Sequence, residues 1–358
     1  MASKDGSEGG RRPRRQDGAL TISDVAAHAG VSTMTVSRVL NGGFNVRGST
    51  RERVETAITA LNYAPNPAAR SLASATRTRI GLLYSNPSAG YLSEFLLGCL
   101  DQVGRSDLGL VIAQCEPGDD SEIAAAERMI ADGIDGLLLP PPLCDAAPLI
   151  DLLAENDLPA AAVATGRPAA SVSAVSIGDR AAARDMTRHL LALGHRRIGF
   201  ITGNLNQTVS AERLAGHGEA LAEAGVGLPP ELEVPGLFSY RSGLQAAETL
   251  LALPDPPTAI FASNDDMGAA AIAVAHRRNL DVPRDLTVCG FDDTPVAAMI
   301  WPGLTTIRQP IAAMSRAAVD LLVDEIRARR QGKVAHHVHT TMPYEFVRRA
   351  SDAPPRRG

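Results

Sequence analysis

The sequence has few aromatic residues, only four cysteines and no long apolar run. No stretch of about eighteen apolar residues occurs, so we expect no membrane-spanning helix. The cysteines lie far apart, without the paired spacing of a zinc site or a disulfide framework, and we expect buried free thiols. No apolar segment follows the basic N-terminus, so we predict no secretory signal.

Catalytic and metal-binding motifs are also absent. The sequence contains neither a Gly-x-Ser-x-Gly elbow nor a Gly-rich loop of the nucleoside-triphosphatase type. His336, His337 and His339 lie close together, but no cysteine or carboxylate at ligand spacing joins them. We therefore expect no enzyme, no cofactor and no metal site.

Charge is distributed unevenly along the chain. Residues 1–79 contain twelve Lys and Arg against six Asp and Glu, whereas the remainder contains 23 against 34, within a net charge of −5. A basic N-terminal part on an acidic body is typical of a polyanion-binding module attached to a domain of another kind.

Two short helical patterns follow the basic N-terminus, in TISDVAAHAGVSTMTVSRVLNG (21–42). Thr21 suits the N-cap of the first helix, Gly30 can adopt the positive φ that ends it, and Ser32 suits the second N-cap. Apolar spacing predicts a third helix over about 50–61. This order predicts a helix-turn-helix, whose second helix enters the major groove, although an ordinary helical hairpin has the same spacing.

These residues, with TRERVETAITALNYAPNPAARSLASATRTRIGLL (50–83), closely resemble the headpiece of the lactose-repressor (LacI/GalR) family of bacterial transcription regulators. The Asp-Val-Ala step, the Ala-Gly-Val-Ser turn, the Thr-Val-Ser-Arg-Val-Leu-Asn helix and the Asn-Tyr-x-Pro-Asn ending follow the family's order and spacing. The resemblance continues to about residue 348. It implies a cytoplasmic homodimer that binds a near-palindromic double-stranded DNA operator.

The resemblance also assigns contacts with DNA, residue by residue. Thr33, Met34 and Arg38 match base-reading positions. We expect Arg38 to discriminate most sharply, because a guanidinium pairs with the two acceptors of guanine. The residues assigned to phosphate oxygens, which position the helix without reading sequence, are Ser32, Thr35, Ser37 and Asn41.

Residues 66–78 match the family's hinge, a short helix that forms when two subunits pair on DNA. The resemblance gives Leu72 the role of a wedge in the minor groove, and Ala69 that of keeping the paired helices close. About nine residues are too few for a stable helix in water, so we expect order to depend on the operator. A plain linker is the alternative that the Pro, Ala and Ser content allows.

Beyond residue 79, short apolar runs alternate with helical patterns, which predicts βαβ units and parallel sheets. We predict an all-α headpiece followed by an α/β, bilobal core of the periplasmic-binding-protein type. The predicted domains are a disordered tail (1–18), the headpiece (19–65), the hinge (66–78), the core (79–348) and a disordered tail (349–358). Within the core, lobe 1 covers about 79–175 and 294–330, and lobe 2 about 176–293 and 331–348.

In such folds ligands bind in a cleft at the carboxyl ends of the strands. The resemblance assigns effector contacts to Arg213 and Phe238, and Asp265 follows a predicted strand at the cleft. An exposed helix cation, a core aromatic and a helix cap are the respective structural alternatives. Further candidates are Asp179, Tyr91 and Trp301. A stacking face, a carboxylate and a guanidinium suit a sugar or glycoside best and a nucleobase next.

We therefore predict a repressor of a carbohydrate-utilisation operon, whose operator affinity a small effector switches. Whether the effector is an inducer or a corepressor stays open. One alternative is a purine- or nucleoside-responsive regulator of the same family, and another is a solute-binding module with no role in gene control. Candidates for the dimer face are the helix over 92–103 and the helix after Pro310.

Overall fold

The computed structural model describes residues 21–40, 47–61, 63, 77–106, 108–116, 121–334 and 336–356. The chain divides into two compact units between Arg77 and Thr78. The predictions for the first eighteen residues, for Asn41 and for the hinge residues Ala69 and Leu72 lie outside the described part. The side chain of Arg38 lies outside it as well.

The described residues of the first unit form three helices, α1 (Ile22–Ala29), α2 (Thr33–Leu40) and α3 (Gly48–Ala60). The backbone N and Oγ1 of Thr21 donate to Asp24 Oδ2 at 2.8 and 2.7 Å, which caps α1. Gly30 ends α1 at φ 61°, and the backbone N of Thr35 donates to Ser32 Oγ at 3.2 Å. The predicted caps are therefore confirmed.

A small apolar core holds these helices together. Val25, Val36 and Val54 are fully buried, one from each helix, and further apolar side chains such as Ala57 and Ile58 pack around them. The N-terminal part of α2 faces away from this core, since Thr33 and Met34 are exposed. The core thus fixes which face of α2 is presented to the surroundings.

The second unit is built from strands and helices in alternation. The strands are β1 (Thr78–Tyr84), β2 (Leu108–Gln114), β3 (Gly136–Leu139), β4 (Ala160–Val163), β5 (Ser173–Ile177), β6 (Ile198–Thr202), β7 (Glu233–Pro235), β8 (Ala259–Ala262), β9 (Thr287–Cys289), β10 (Thr306–Arg308), β11 (His339–Met342) and β12 (Glu345–Val347). The helices are α4 (Ala89–Arg105), α5 (Ser121–Ala131), α6 (Ala147–Glu155), α7 (Asp179–Leu193), α8 (Thr208–Glu223), α9 (Tyr240–Leu251), α10 (Asp265–Arg277), α11 (Pro295–Met299) and α12 (Ile311–Arg330).

Two parallel sheets define two lobes. The first lobe has the strand order β11-β5-β4-β3-β1-β2, and the second has β7-β6-β8-β9. Strands such as β3 and β4 are buried along their whole length, because helices cover both faces of the sheet. In the first lobe α12 packs tightly on α4, where a Cβ at Gly98 would overlap Ser315 and the carbonyl of Ala312. The predicted bilobal α/β core is confirmed.

Two of the predicted lobe boundaries are wrong. Strand β11 pairs in parallel with β5, so His339–Met342 belongs to the first lobe and not to the second. Residues 295–304 pack in the second lobe, where Ala297 and Leu304 join the same buried cluster as Met267. The antiparallel pair of β10 and β12 lies where the chain passes between the lobes.

The C-terminal segment was predicted to be a disordered tail, and that prediction is wrong for residues 349–356. Ser351 and Asp352 are buried. Ser351 Oγ donates to the carbonyl of Val288 at 2.6 Å and accepts from the backbone N of Thr305 at 2.8 Å. The segment is ordered because it supplies hydrogen bonds to the edge of the second sheet.

The predicted state of the cysteines is confirmed, since all four are free and buried. In the part of the chain that the structure describes, no helix combines the length and the apolar character that crossing a bilayer requires. The same residues contain no group of three or more His, Cys, Asp or Glu side chains arranged to hold a metal ion.

Candidate functional site

The N-terminal part of α2 presents polar and apolar side chains outward. Ser32 and Thr33 are exposed, and Met34 is 64% exposed, which is unusual for a large apolar side chain. The hydroxyls of Ser32 and Thr35 lie 2.9 Å apart, and Ser37 is half-buried. A helix N-terminus with free N–H groups attracts phosphate, so this end of α2 is a candidate nucleic-acid interface.

A second candidate site is a cavity between the two lobes. Its walls come from segments that follow the carboxyl ends of strands in both sheets, which is where α/β folds bind ligands. The lining residues are Asn86, Pro87, Ser88, Tyr91, Pro141, Ala164, Gln207, Val209, Arg213, Phe238, Asn264, Asp292 and Gln309. The cavity measures about 30 Å³, which is room for about two water molecules.

Arg213, on the second turn of α8, is 3% exposed and lies at the centre of this cavity wall. Its Nε donates to Asp179 Oδ1 at 2.8 Å, and its Nη1 donates to the carbonyl of Ser263 at 2.6 Å. Asp292 Oδ1 lies 3.7 Å from Nη1, and the guanidinium stacks 3.7 Å from the ring centre of Phe291. The buried guanidinium therefore has a carboxyl group on each of two sides of the contact network, from Asp179 and Asp292.

Asp292 follows β9 and is held in an unusual backbone conformation, with φ 106°. Non-glycine residues rarely adopt such angles, and they concentrate at functional sites. Gln309 Nε2 donates to Asp292 Oδ1 at 2.6 Å. Burial raises the pKa of Asp292 to about 7, while Arg213 and Gln309 limit the rise. This carboxyl group can therefore donate or accept a hydrogen bond near neutral pH.

Two buried polar atoms of the cavity wall have no hydrogen-bond partner among the described residues. They are the hydroxyl of Tyr91 and Oε1 of Gln309. Burial and then the nearby Asp292 raise the pKa of Tyr91 well above its usual range, so this hydroxyl stays neutral. A buried polar group without a partner costs about 1–3 kcal/mol. A ligand hydroxyl between these atoms would recover that cost.

The structure brings some of the predicted effector residues to this cavity. Arg213, Phe238 and Tyr91 line it directly. Asp179 contacts Arg213 on the other side of the guanidinium and lines a neighbouring pocket beside Arg180. Asp179 thus orients Arg213 and does not itself face the cavity.

Asp265 and Trp301, which were also predicted to contact the effector, do not line this cavity. Asp265 Oδ2 accepts from the backbone N of Thr294 at 2.7 Å, and Oδ1 accepts from Thr306 Oγ1 at 2.6 Å. Its oxygens are thus occupied in holding the segments that pass between the lobes. Trp301 is 83% exposed on the second lobe.

The polar residues of the cavity wall that the sequence reasoning missed include Asn264, Asp292 and Gln309. Asn264 caps α10 through Oδ1, which accepts from the backbone N of Met267 at 3.0 Å, and its Nδ2 donates to the carbonyl of Phe238. Asp292 had a usable signal, because it follows a strand just as Asp265 does. Gln309 follows β10, and no local property of the sequence around it points to the cavity.

The free energy of unfolding is expected to depend on the proton that Asp292 holds. The pKa of an unfolded Asp is about 3.9, whereas that of native Asp292 is about 7. Between these values the native state keeps a proton that the unfolded state has released. The resulting stabilisation is complete below about pH 4 and is lost as the pH rises through 7.

The replacement Asp292→Asn tests this dependence by urea unfolding between pH 4.5 and 8. The variant should lose less stability with rising pH than the unmodified chain, by up to roughly 1 kcal/mol per pH unit below pH 7. The charge of Asp292 also raises the pKa of Asp265, so the comparison reports the loss of both effects together. Parallel profiles would contradict the raised pKa.

Comparison with known proteins gives matches over nearly the whole chain. The model described as bacterial regulatory proteins, lacI family, matches residues 21–66, and a periplasmic binding protein-like domain matches residues 187–351. Catabolite control protein A of Priestia megaterium is 33% identical over 85% of this chain and 91% of its own length. The HTH-type transcriptional repressor PurR of Photobacterium profundum is 33% identical over 86% of this chain and 92% of its own length.

Solved structures agree with these matches. The lac repressor dimer bound to operator and the anti-inducer ONPF superposes with a TM-score of 0.74, at 29% identity, over 94% of this chain and all of that chain. The transcriptional regulator CelR in complex with cellobiose superposes with a TM-score of 0.70, at 32% identity, over 93% of this chain and 99% of that chain.

Proposed function

The chain belongs to the LacI family of DNA-binding transcriptional repressors, and from that premise we propose that a neutral sugar or glycoside, bound between the lobes, switches its affinity for an operator. The operator controls a carbohydrate-utilisation operon. The protein acts in the bacterial cytoplasm. Residues Thr33, Met34 and Arg38 read bases in the major groove, and Ser32, Thr35, Ser37 and Asn41 contact phosphates. Leu72 and Ala69 act at the hinge.

The charges in the cavity wall favour a neutral effector. Asp179 and Asp292 already engage Arg213, so a phosphate or carboxylate ligand would find no uncompensated positive charge there. The unpartnered Tyr91 hydroxyl and Gln309 Oε1 instead offer a donor and an acceptor to hydroxyl groups. Phe238 adds an apolar face of the kind on which sugar rings stack. The neighbouring structure of CelR contains cellobiose, which supports the same class.

A purine or nucleoside is the second candidate effector. The ring of Phe238 lines the cavity and could stack on a base. Relatives of similar identity include the transcriptional repressors PurR and CytR. The two candidates differ in their need for Tyr91, because a sugar has a hydroxyl at nearly every carbon whereas a base presents an aromatic face and few donors.

A homodimer is part of the proposal, since two headpieces are needed for a near-palindromic operator. Exposed apolar side chains on the first lobe support a self-association surface, namely Leu97 and Leu100 on α4 and Ile112 on β2. The helix α12 is a weaker candidate for this surface, because its residues Leu322 and Ile326 are buried within the lobe. Effector binding would alter the separation of the lobes and, through 77–79, the spacing of the two hinges.

Thermal unfolding of the full chain tests the effector class. The panel contains monosaccharides, disaccharides, glycosides, purine bases and nucleosides. A ligand at about a hundred times its Kd stabilises the native state by roughly 2.7 kcal/mol, which shifts the midpoint measurably. We expect a shift with a sugar or glycoside, and we expect Tyr91→Phe to reduce that shift strongly.

The matched control is Trp301→Ala, which removes a large side chain that is exposed and outside the cavity. This variant should keep the full shift. A shift with nucleosides alone would establish the second candidate. A panel without any shift, or a sugar shift that Trp301→Ala abolishes and Tyr91→Phe leaves intact, would contradict the proposed site.

A further inference from the structure

A carboxylate beside the cavity joins the two lobes and has no part in the proposed ligand contacts. Asp145 ends a short 3-10 turn after β3 in the first lobe, and Thr208 is the first residue of α8 in the second lobe. Asp145 Oδ2 accepts from the backbone N of Thr208 at 2.8 Å, and Oδ1 accepts from Thr208 Oγ1 at 2.9 Å. One side chain of the first lobe thus binds two donors of the second.

Two neighbours in the first lobe complete this network. Thr165 Oγ1 donates to Asp145 Oδ1 at 2.6 Å, which holds the carboxylate in place. The backbone N of Gly166 donates to Thr208 Oγ1 at 2.7 Å. The hydroxyls of Thr165 and Thr208 also lie 3.4 Å apart, so four hydrogen bonds run between the lobes at this point. The backbone N and the hydroxyl of Thr208 both have their partners in the other lobe.

The helix that carries Thr208 has no side-chain cap from its own lobe. Gln207 occupies the N-cap position of α8, but its side chain makes no capping bond. The first N–H groups of a helix have no partner within the helix, and a carboxylate there also interacts favourably with the helix dipole. Asp145 supplies this cap from the opposite lobe. By contrast, α9 is capped within the second lobe by Ser239, whose Oγ accepts from the backbone N of Ser242.

We propose that Asp145 and Thr208 form a latch that holds the two lobes together beside the cavity. Asp145 accepts from the first N–H of α8 only while the lobes are together. When the cleft opens, this helix end loses its cap. The closed cavity, at about 30 Å³, is far smaller than the roughly 300–1,000 Å³ of typical ligand pockets. Opening must therefore precede effector entry. Because Arg213 follows on the same helix, the latch also positions the central side chain of the cavity.

Amide hydrogen exchange in the ligand-free full chain tests the latch directly. The N–H of Thr208 has Asp145 as its acceptor, so its exchange rate reports the fraction of open molecules. The N–H of Gly166 depends on Thr208 Oγ1 and makes no bond to Asp145. In Asp145→Ala we expect both amides to exchange at least tenfold faster, and the radius of gyration from X-ray scattering to rise.

The control variant Ser239→Ala removes a helix cap that lies within one lobe. It should speed exchange at Ser242 and leave Thr208, Gly166 and the radius of gyration unchanged.

If Asp145→Ala speeds exchange at Thr208 alone, Asp145 is a local cap and the latch is wrong. If circular dichroism shows that Asp145→Ala does not fold, Thr208→Val is measured in its place. This variant removes the hydroxyl and keeps the backbone N–H that donates to Asp145. Faster exchange of the amide at position 208 supports the latch, and unchanged exchange overturns it. No effector enters these measurements, so their outcome is independent of the effector class.

Discussion

Replacing Arg213 by Ala is expected to lower the free energy of unfolding by about 3–5 kcal/mol, the usual cost of breaking a buried ion pair. The guanidinium is buried between Asp179 and Asp292, at 2.8 and 3.7 Å, and also binds the carbonyl of Ser263. Its removal leaves carboxylates in a site where burial already raises the pKa of both. Effector binding should be lost as well, because Arg213 forms part of the cavity wall.

Urea unfolding at pH 8 measures this change, since Asp292 of the unmodified chain is then ionised in both the native and the unfolded state. The matched control is Arg277→Ala, whose side chain is 59% exposed and pairs with Glu248 at 2.6 Å. A solvent-exposed pair contributes about 0–1 kcal/mol. Equal destabilisation by the two replacements would contradict the structural role given to Arg213. The addition of Asp179→Asn to Arg213→Ala should recover part of the loss, because one uncompensated charge is removed.

Replacing Arg38 by Ala is expected to remove most of the specificity for the operator. A bidentate contact with guanine contributes about 1–3 kcal/mol of discrimination, which corresponds to roughly 5- to 150-fold per half-site. A dimer that uses two headpieces loses this factor twice. Binding to unrelated DNA should change much less, because it depends on the sum of phosphate contacts.

The operator for this measurement comes from selection on random DNA with the unmodified chain, which for a dimer should return two inverted half-sites. Fluorescence anisotropy at fixed salt then gives Kd on the selected and on an unrelated duplex. Ser37→Ala is the control, since loss of a phosphate contact weakens binding to both duplexes alike. A uniform loss with Arg38→Ala would mean that Arg38 contacts phosphate and not a base.

Local signals in the sequence were enough to predict the headpiece and the class of the core. The caps at Thr21, Gly30 and Ser32 depend on residues within one turn of each other, and the structure contains all three. Alternating apolar runs likewise predicted two parallel sheets. The family resemblance rested on these same residues, and the comparisons confirm it.

The choice between carboxylates could not be made from local sequence. Asp265 and Asp292 both follow a strand and both precede another Asp. Their surroundings differ, because Thr294 and Thr306, 29 and 41 residues from Asp265, occupy its oxygens. Only the folded chain brings those donors to Asp265 and leaves Asp292 at the cavity.

The edge strand β11 was assigned to the wrong lobe for a related reason. Its residues, HTTM, alternate between exposed and half-buried positions, so no apolar run marks its partner. Its neighbour β5 lies about 165 residues earlier in the chain. The other strands determine where the edge of the first sheet lies. The local composition of β11 therefore does not indicate its partner.

The chain returns to the first lobe after forming the second lobe. This return determines the order in which the two lobes can be completed during synthesis. The buried cluster of the second lobe is drawn from a continuous stretch, Ile201 to Leu304. One face of the first sheet, with Leu82 and Leu138, is covered by Met314 and Leu322 of α12. The lobe that leaves the ribosome first is therefore completed last, and its apolar face stays uncovered while the roughly 130 residues between Ile177 and Ile311 are added. A nascent chain of this design is a natural substrate for chaperones until α12 emerges.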